Sequence, residues 1–312
     1  MRLFGKAEKK NGWLAIGLTA DGVQAAAIER RTDGPPRVLL AASYPGKADQ
    51  AGASLARLGK ELQASRYRCT TLLGAGGYQL LMVEAPNVPE AEMRTALGWR
   101  VKDMIDFPLE QATIDMAIVP QASGSNQARQ AFAVAARNSV LMPHQQLFAD
   151  HKIALSAIDI GEMAQRNISA LLEPEGRGVA LLAFDADGGL LTVSYQTELY
   201  LARRIDVTLN QLLDPDPERL QHLHDRITLE LQRSLDHFER QFSFVTVAKM
   251  VVTPVGDGAL RAYLTSNLYL PVEQLDLASV LDLTGAELLR DPAQQAGFLR
   301  TLGAALRELE TA

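Results

Sequence analysis

The sequence predicts a two-domain α/β protein whose halves are built on one plan, and two observations carry that prediction. Residues 13–43 and 178–207 share a grammar: an apolar strand, a tight turn with an Asp-Gly step, a second strand, a polar break and a third strand. The two blocks lie about half a chain apart, and each is followed by segments that alternate between helical and strand periodicity.

The second block is the clearer. An apolar run at 179–184 meets a turn from Asp185 to Gly189, strands follow at 190–195 and 199–205, and Gln196 to Glu198 is the polar break. Asp187, Gly188 and Gly189 are the residues of a tight hairpin, whose positive-φ positions favour glycine. The first block, WLAIGLTADGVQAAAIERRTDGPPRVLLAAS, turns at Thr19, Asp21 and Gly22 and again between Asp33 and Pro36.

Composition narrows the function classes. A chain of 312 residues has room for two domains with their own cores, and 47% hydrophobic with 22% charged residues is ordinary for a soluble protein. The net charge of −6 argues against a nucleic-acid partner. Cys69 is the one cysteine, which excludes an internal disulfide and suits a reducing compartment. No run approaches the roughly 18–20 apolar residues of a membrane span. Residues 1–12 are expected to be a mobile basic tail, with Arg2, Lys6, Lys9 and Lys10 and no secretory h-region.

Between the blocks, Leu55, Leu58 and Leu62 place a helix over 47–65, strands fall at 68–73 and 79–84, and the GAGG turn at 74–77 leads into a strand, unlike a P-loop. Pro89, Glu90 and Glu92 start a helix whose apolar face is Met93, Leu97, Val101 and Met104, with Phe107-Pro108 as its stop. Strands at 112–119 and 129–137 flank a polar loop, 121–127, expected to be exposed and mobile. A helix at 140–152, a strand at 153–160 and a helix at 161–172 lead to the linker PEGRG at 174–178.

In the second half, DPDPE at 214–218 reads as a loop, and 225–242 as a helix with the stripe Ile227, Leu231, Leu235, Phe238 and Phe242 facing a core. A strand at 249–253, a turn at 254–258, a helix at 259–267, a strand at 272–276 and a helix at 293–308 complete the chain. His222, His224, Asp225 and His237 are read as solvated helix surface, since the first two point to different faces.

Several segments, in order, resemble the MshI/PilM family of type IV (MSHA) pilus biogenesis, within the actin-like ATPase superfamily. They are the helix after Pro89 running to IDFPLEQA at 105–112, then Ile158-Asp159-Ile160 before a helix with Asn167. After these come Glu230, Arg233, Ser234, Leu235 and Phe238, and finally LGAALR at 302–307. The resemblance covers roughly 13–307. It implies actin-like (ribonuclease H-like) duplicated domains with an inserted small α+β subdomain: a first domain at 13–173 with the insert at 87–140, and a second at 174–312.

An actin-like ATPase holds its phosphates between two glycine-bearing hairpin turns, each with an Asp near Mg²⁺. Aligned on the family, the first turn has Gly17 for the Asp, Thr19 for the glycine and Gln24 for the Lys. In the second turn the family's D-x-G falls on Ala183-Phe184-Asp185, and the adenine-side glycines fall on a turn with Gly256 and Asp257. The degenerate nucleotide turns are thus Thr19, Asp21, Gly22, Asp185, Asp187, Gly188, Gly189, Gly256 and Asp257, and no catalytic residue or metal ligand is expected.

The resemblance implies a cytoplasmic, non-enzymatic assembly component at the inner membrane, with no cofactor expected. Its implied partner is the N-terminal cytoplasmic tail of a single-pass PilN/MshJ-like membrane protein, held in a groove of the first domain. The alternative is an ATP/Mg-binding switch of the PilM type. A sugar- or acid-kinase relative lacks a catalytic Asp in a phosphate-turn context. A type II secretion component is the remaining rival.

Overall fold

The protein, seen in a computed structural model, is described over residues 12–122, 124 and 128–308. The tail expected at 1–12 lies outside these residues except for Gly12, as do 123 and 125–127 of the polar loop. The chain opens with an antiparallel meander of β1 (Trp13–Thr19), β2 (Gly22–Glu29) and β3 (Arg37–Pro45). WLAIGLT is a near-continuous apolar run, and its Leu14, Ala15 and Ile16 are fully buried, as in a strand covered on both faces. α1 (Ala51–Glu61) buries Leu55 and Leu58, and β4 (Arg68–Leu72) then pairs parallel with β1. The helix read over 47–65 is interrupted where Gln63 adopts φ 53° before a short 3-10 turn at Ala64–Arg66.

Leu73–Leu147 forms a compact unit of its own. It holds β5 (Tyr78–Glu84), α2 (Glu90–Val101), β6 (Ala112–Val119), β7 (Gln130–Arg137) and the first part of α3 (Asn138–Asp150). The three strands form an antiparallel sheet in the order β5-β7-β6, so the unit takes in a strand that the limits 87–140 leave out. Leu97 and Val101 of α2 are fully buried in a cluster with Val83, Ala133 and Ala135 from the sheet. Two expectations fail here. The helix ends at Val101, where the N–H groups of Met104 and Ile105 both bond back to the Val101 carbonyl. That tight turn carries Ile105 and Phe107 into the cluster and swings Met104 outward, leaving it 50% exposed.

The larger unit resumes with β8 (Leu155–Asp159), which adds parallel to β4 and completes a five-stranded sheet ordered β3-β2-β1-β4-β8. α4 (Gly161–Leu172) precedes a second meander of β9 (Gly178–Asp185), β10 (Gly188–Tyr195) and β11 (Glu198–Ile205). α5 (Leu209–Leu212) was not read from the sequence; Thr208 and Gln211 start it with a reciprocal capping box. α6 (Pro217–Gln241) begins eight residues earlier than the stripe suggests, because the expected breaker is its start signal. Asp216 caps the N–H groups of Glu218 and Arg219, and Pro217 sits in the first turn, where a missing N–H costs nothing. β12 (Val247–Val252), α7 (Ala259–Asn267), β13 (Val272–Gln274) and α8 (Pro292–Ala305) complete the chain.

The second sheet is ordered β11-β10-β9-β12-β13, with β12 parallel to β9 and β13 parallel to β12. Strand for strand it repeats the first. Gly22 and Gly188 hold the same place at the two hairpin tips, with φ of 133° and 127°. A Cβ would stand 2.2 Å from the Tyr44 carbonyl oxygen in one case and 2.9 Å from that of Ile205 in the other. Only glycine meets both demands.

The halves are interlocked by their helices. α4, which follows the first sheet in sequence, packs on β9, β10 and β11, whereas α8, which follows the second, packs on β1, β2 and β4. The two helices meet closely at Gly303, where a Cβ would lie 2.0 Å from the Ala164 carbonyl oxygen, and the Asn167 amide donates to the Gly303 carbonyl at 2.8 Å. One apolar cluster therefore runs from Ala15, Ile28 and Val38 through Ile168, Phe298 and Leu302 to Val179, Leu181 and Val251. Each large apolar side chain buried there contributes about 1.5–3 kcal/mol relative to exposure.

Candidate functional site

Both hairpins meet one turn of α8. At the first tip the backbone of Gly17 faces Thr301, and a Cβ there would lie 2.8 Å from the Thr301 hydroxyl oxygen. The same hydroxyl donates to the Gln24 side-chain oxygen at 3.2 Å. The positions aligned with the family's Asp and Lys are thus in contact with one threonine, which is 3% exposed. An aspartate in place of Gly17 would have to displace it. Thr19 is exposed, its hydroxyl donating across its own hairpin to the Gly22 carbonyl at 3.1 Å, and Asp21 is exposed at the tip.

At the second tip Asp185 is half-buried and engaged twice. One oxygen accepts from the Asp187 N–H at 2.9 Å, closing the turn, and the other pairs with the Arg300 guanidinium. Arg300 reaches it by passing over Gly161, whose missing side chain leaves the room: a Cβ there would be 3.4 Å from the Arg300 Nε. Asp187 is exposed, and Gly188 and Gly189 shape the turn against Ile205. Arg300 and Thr301 are neighbours on α8, so one helical step meets Asp185 of the second hairpin and Gln24 of the first.

The first turn of α4 extends this polar group. Glu162 is 1% exposed and accepts from Arg204 of β11 at 2.7 Å, a buried carboxylate with a charged partner. Asp159, at the end of β8, accepts from the Ile160 N–H at 2.9 Å and from Arg307 at 3.3 Å. Burial pushes its carboxyl upward, and the nearby Arg307 charge opposes that.

The third turn is closed on itself. Asp257 accepts from the Ala259 N–H at 3.0 Å, and Gly256 and Gly258 take φ of 51° and 89°. The cavity beside it measures about 10 Å³, the room of one water molecule. A groove of about 720 Å³ runs along Gln274 to Asp276 and Leu281 to Thr284, and its lining includes neither hairpin tip. His224, read from the sequence as solvated, is 7% exposed and lies against the Tyr263 ring at 5.4 Å, because α7 covers that side of α6; burial holds its imidazole below the usual range.

The structure thus sets Gly17 and Gln24, behind the Thr19–Asp21–Gly22 turn, and Asp185 of the second turn against one helix, and leaves Thr19, Asp21 and Asp187 exposed. It adds Arg300, Thr301, Glu162 and Arg204, which the turn motifs did not indicate. The available signal was the polar pair Arg300-Thr301 inside the apolar run of α8.

No protein-family model matches the sequence, and no curated protein matches it. Among solved structures, the chain is similar to a chain of a PilM–PilN type IV pilus biogenesis complex. The two are 20% identical with a TM-score of 0.72, over 95% of this chain and 98% of that one. It is also similar to a Bacteroides thetaiotaomicron protein with an actin-like ATPase fold and unknown function, at 11% identity and a TM-score of 0.50, covering 95% and 99%. The cytoplasmic domain of EpsL, an inner membrane component of the type II secretion system of Vibrio cholerae, matches at 13% identity and a TM-score of 0.49, covering 96% and 97%. The duplicated sheets, the interlocked helices and the first two of these likenesses give the protein the actin-like ATPase fold.

Proposed function

We propose that this chain is a non-hydrolysing assembly component of a type IV pilus platform, MSHA-like in kind, that acts by holding a membrane protein's tail. The observation that carries the reading is the engagement of Asp185 by Arg300 and of Gln24 by Thr301, at the positions where a phosphate site would need free groups. A polyphosphate needs carboxylates to organise Mg²⁺ and a cation to answer its charge. Gly17 and Gln24 supply neither, and Asp185, the residue on which the family's second-turn D-x-G ends, already has a partner. Buried phosphate charge without those groups carries a severe desolvation cost.

The PilM–PilN complex supports the choice of partner: a PilN/MshJ-like single-pass protein of the inner membrane, engaged through its N-terminal cytoplasmic tail. The proposed location is the cytoplasmic face of that membrane. Among the described residues no helix is long and apolar enough to cross a membrane, so attachment would run through the partner.

Thermal unfolding tests the reading. A ligand that binds only the folded chain stabilises it by about 2.7 kcal/mol at a hundredfold excess over Kd. A synthetic peptide copying the tail of the PilN/MshJ-like protein encoded beside this chain should raise the melting temperature, and millimolar MgATP should not. A clear rise with MgATP would replace this reading with the PilM-type nucleotide switch.

A further inference from the structure

The geometry points to a built-in latch: the Arg300–Asp185 pair ties the tip of the second hairpin to the helix that carries the first sheet, doing the bridging that a nucleotide between the tips would do. Three observations lead there. α8 packs on β1, β2 and β4, yet its Arg300 pairs with Asp185 at the end of β9, in the other sheet. The next residue, Thr301, holds Gln24 beside the first hairpin, so the same helical step is fixed to both sheets. Glu162, next to the Gly161 that Arg300 passes over, is held by Arg204 of β11, which fixes the start of α4 to the second sheet.

The apolar cluster already joins the sheets around α4 and α8; on β9 its last member is Ala183, and two residues on Asp185 is held by Arg300. The Arg300–Asp185 pair lies outside that cluster, so it holds the second hairpin to α8 separately from it. Asp185 is prepared for the task, since one oxygen is held by the Asp187 N–H and the other faces the guanidinium. Gly161 is part of the device, because a side chain there would press on Arg300. The latch predicts one sheet-to-sheet angle with no ligand present. It does not need the partner proposed above, so a tail peptide that fails to bind leaves it standing.

Spin-label distances on the full chain test it. Labels are placed at exposed Ser43 on β3 and exposed Arg203 on β11, in a Cys69→Ala background that removes the one native thiol. Asp185→Asn keeps the acceptor for Asp187 and removes the charge, and Arg300→Gln removes the guanidinium. Each single variant should broaden the distance distribution, and the double variant should broaden it no further than either alone, because one broken pair is already open. Unfolding curves identify any variant that has lost its fold, and Gln24→Ala then serves as the second cut at the same helical step. Single variants that keep the parental distribution, or a double variant equal to the sum of both, would overturn the latch. So would a narrower parental distribution on adding MgATP, which would mean that nucleotide still does the bridging.

Discussion

Replacing Gly303 by alanine should force the two central helices apart. The new Cβ would stand 2.0 Å from the Ala164 carbonyl oxygen, 2.6 Å from its carbon and 3.1 Å from its Cα, all backbone atoms that no rotamer can move. A comfortable C···O contact is about 3.3 Å, so α4 and α8 must separate by roughly 1.3 Å. Overpacking of this kind costs about 1–3 kcal/mol, and the Asn167 bond to the Gly303 carbonyl adds about 1 if it breaks. The better helix propensity of alanine returns about 1. The net loss is about 2 kcal/mol, or a melting temperature lower by about 4–8 °C for a unit of this size. Gly297→Ala is the internal control: it lies on the same helix, is exposed, and has nothing within 4 Å of the added Cβ. That variant should gain up to about 1 kcal/mol. Calorimetry that finds Gly303→Ala as stable as the parent would refute the close helix crossing on which the shared core rests.

In the small unit, Leu97→Asp should cost at least ~2 kcal/mol in denaturant unfolding, whereas Met104→Asp should stay within about 0.5, because one side chain is fully buried and the other half exposed. Gln196 and Thr197 take φ of 51° and 66° in the two-residue turn between β10 and β11, so Asn-Gly in their place should raise stability by about 1–2 kcal/mol. The carboxyl of Asp159 is raised in the folded chain, so the folded state holds the proton to higher pH than the unfolded one. Its contribution is therefore fully present below the ordinary aspartate value of about 3.9 and lost as pH rises through the raised value. Melting curves of wild type against Asp159→Asn should show the wild type losing ground across that window; a constant difference would remove Asp159 as the cause.

Much of the fold was legible because it is local. The two meanders are written in alternating apolar runs and in Gly22 and Gly188, which no other residue can replace at those tips. The family-like motifs also proved to be contacts: Asn167 meets Gly303, and Asp159 meets Arg307. Misreadings came where a local signal has two meanings. DPDPE contains a proline that breaks a helix from within and starts one from its first turn, and Asp216 decided for the start. Met104 kept helical spacing, but the core needed Ile105 and Phe107, so the chain turned one step early. The candidate site was legible at its hairpins and silent at its helix. Gln24 and Thr301 are 277 residues apart, and no periodicity announces a contact of that range.

The central claim is that this chain holds a partner without consulting a nucleotide, and the coupling between the two ligands tests it most directly. The measurement is the Kd of the partner's tail peptide, by titration calorimetry, in the absence and presence of millimolar MgATP. Binding at two coupled sites must be reciprocal, and coupling of 1–3 kcal/mol would change the Kd by about 5- to 150-fold. With Asp185 held by Arg300 and Gln24 by Thr301, under the proposed reading the peptide should bind with the same Kd in both titrations. A severalfold change in either direction would contradict the claim and make the protein a nucleotide-controlled switch.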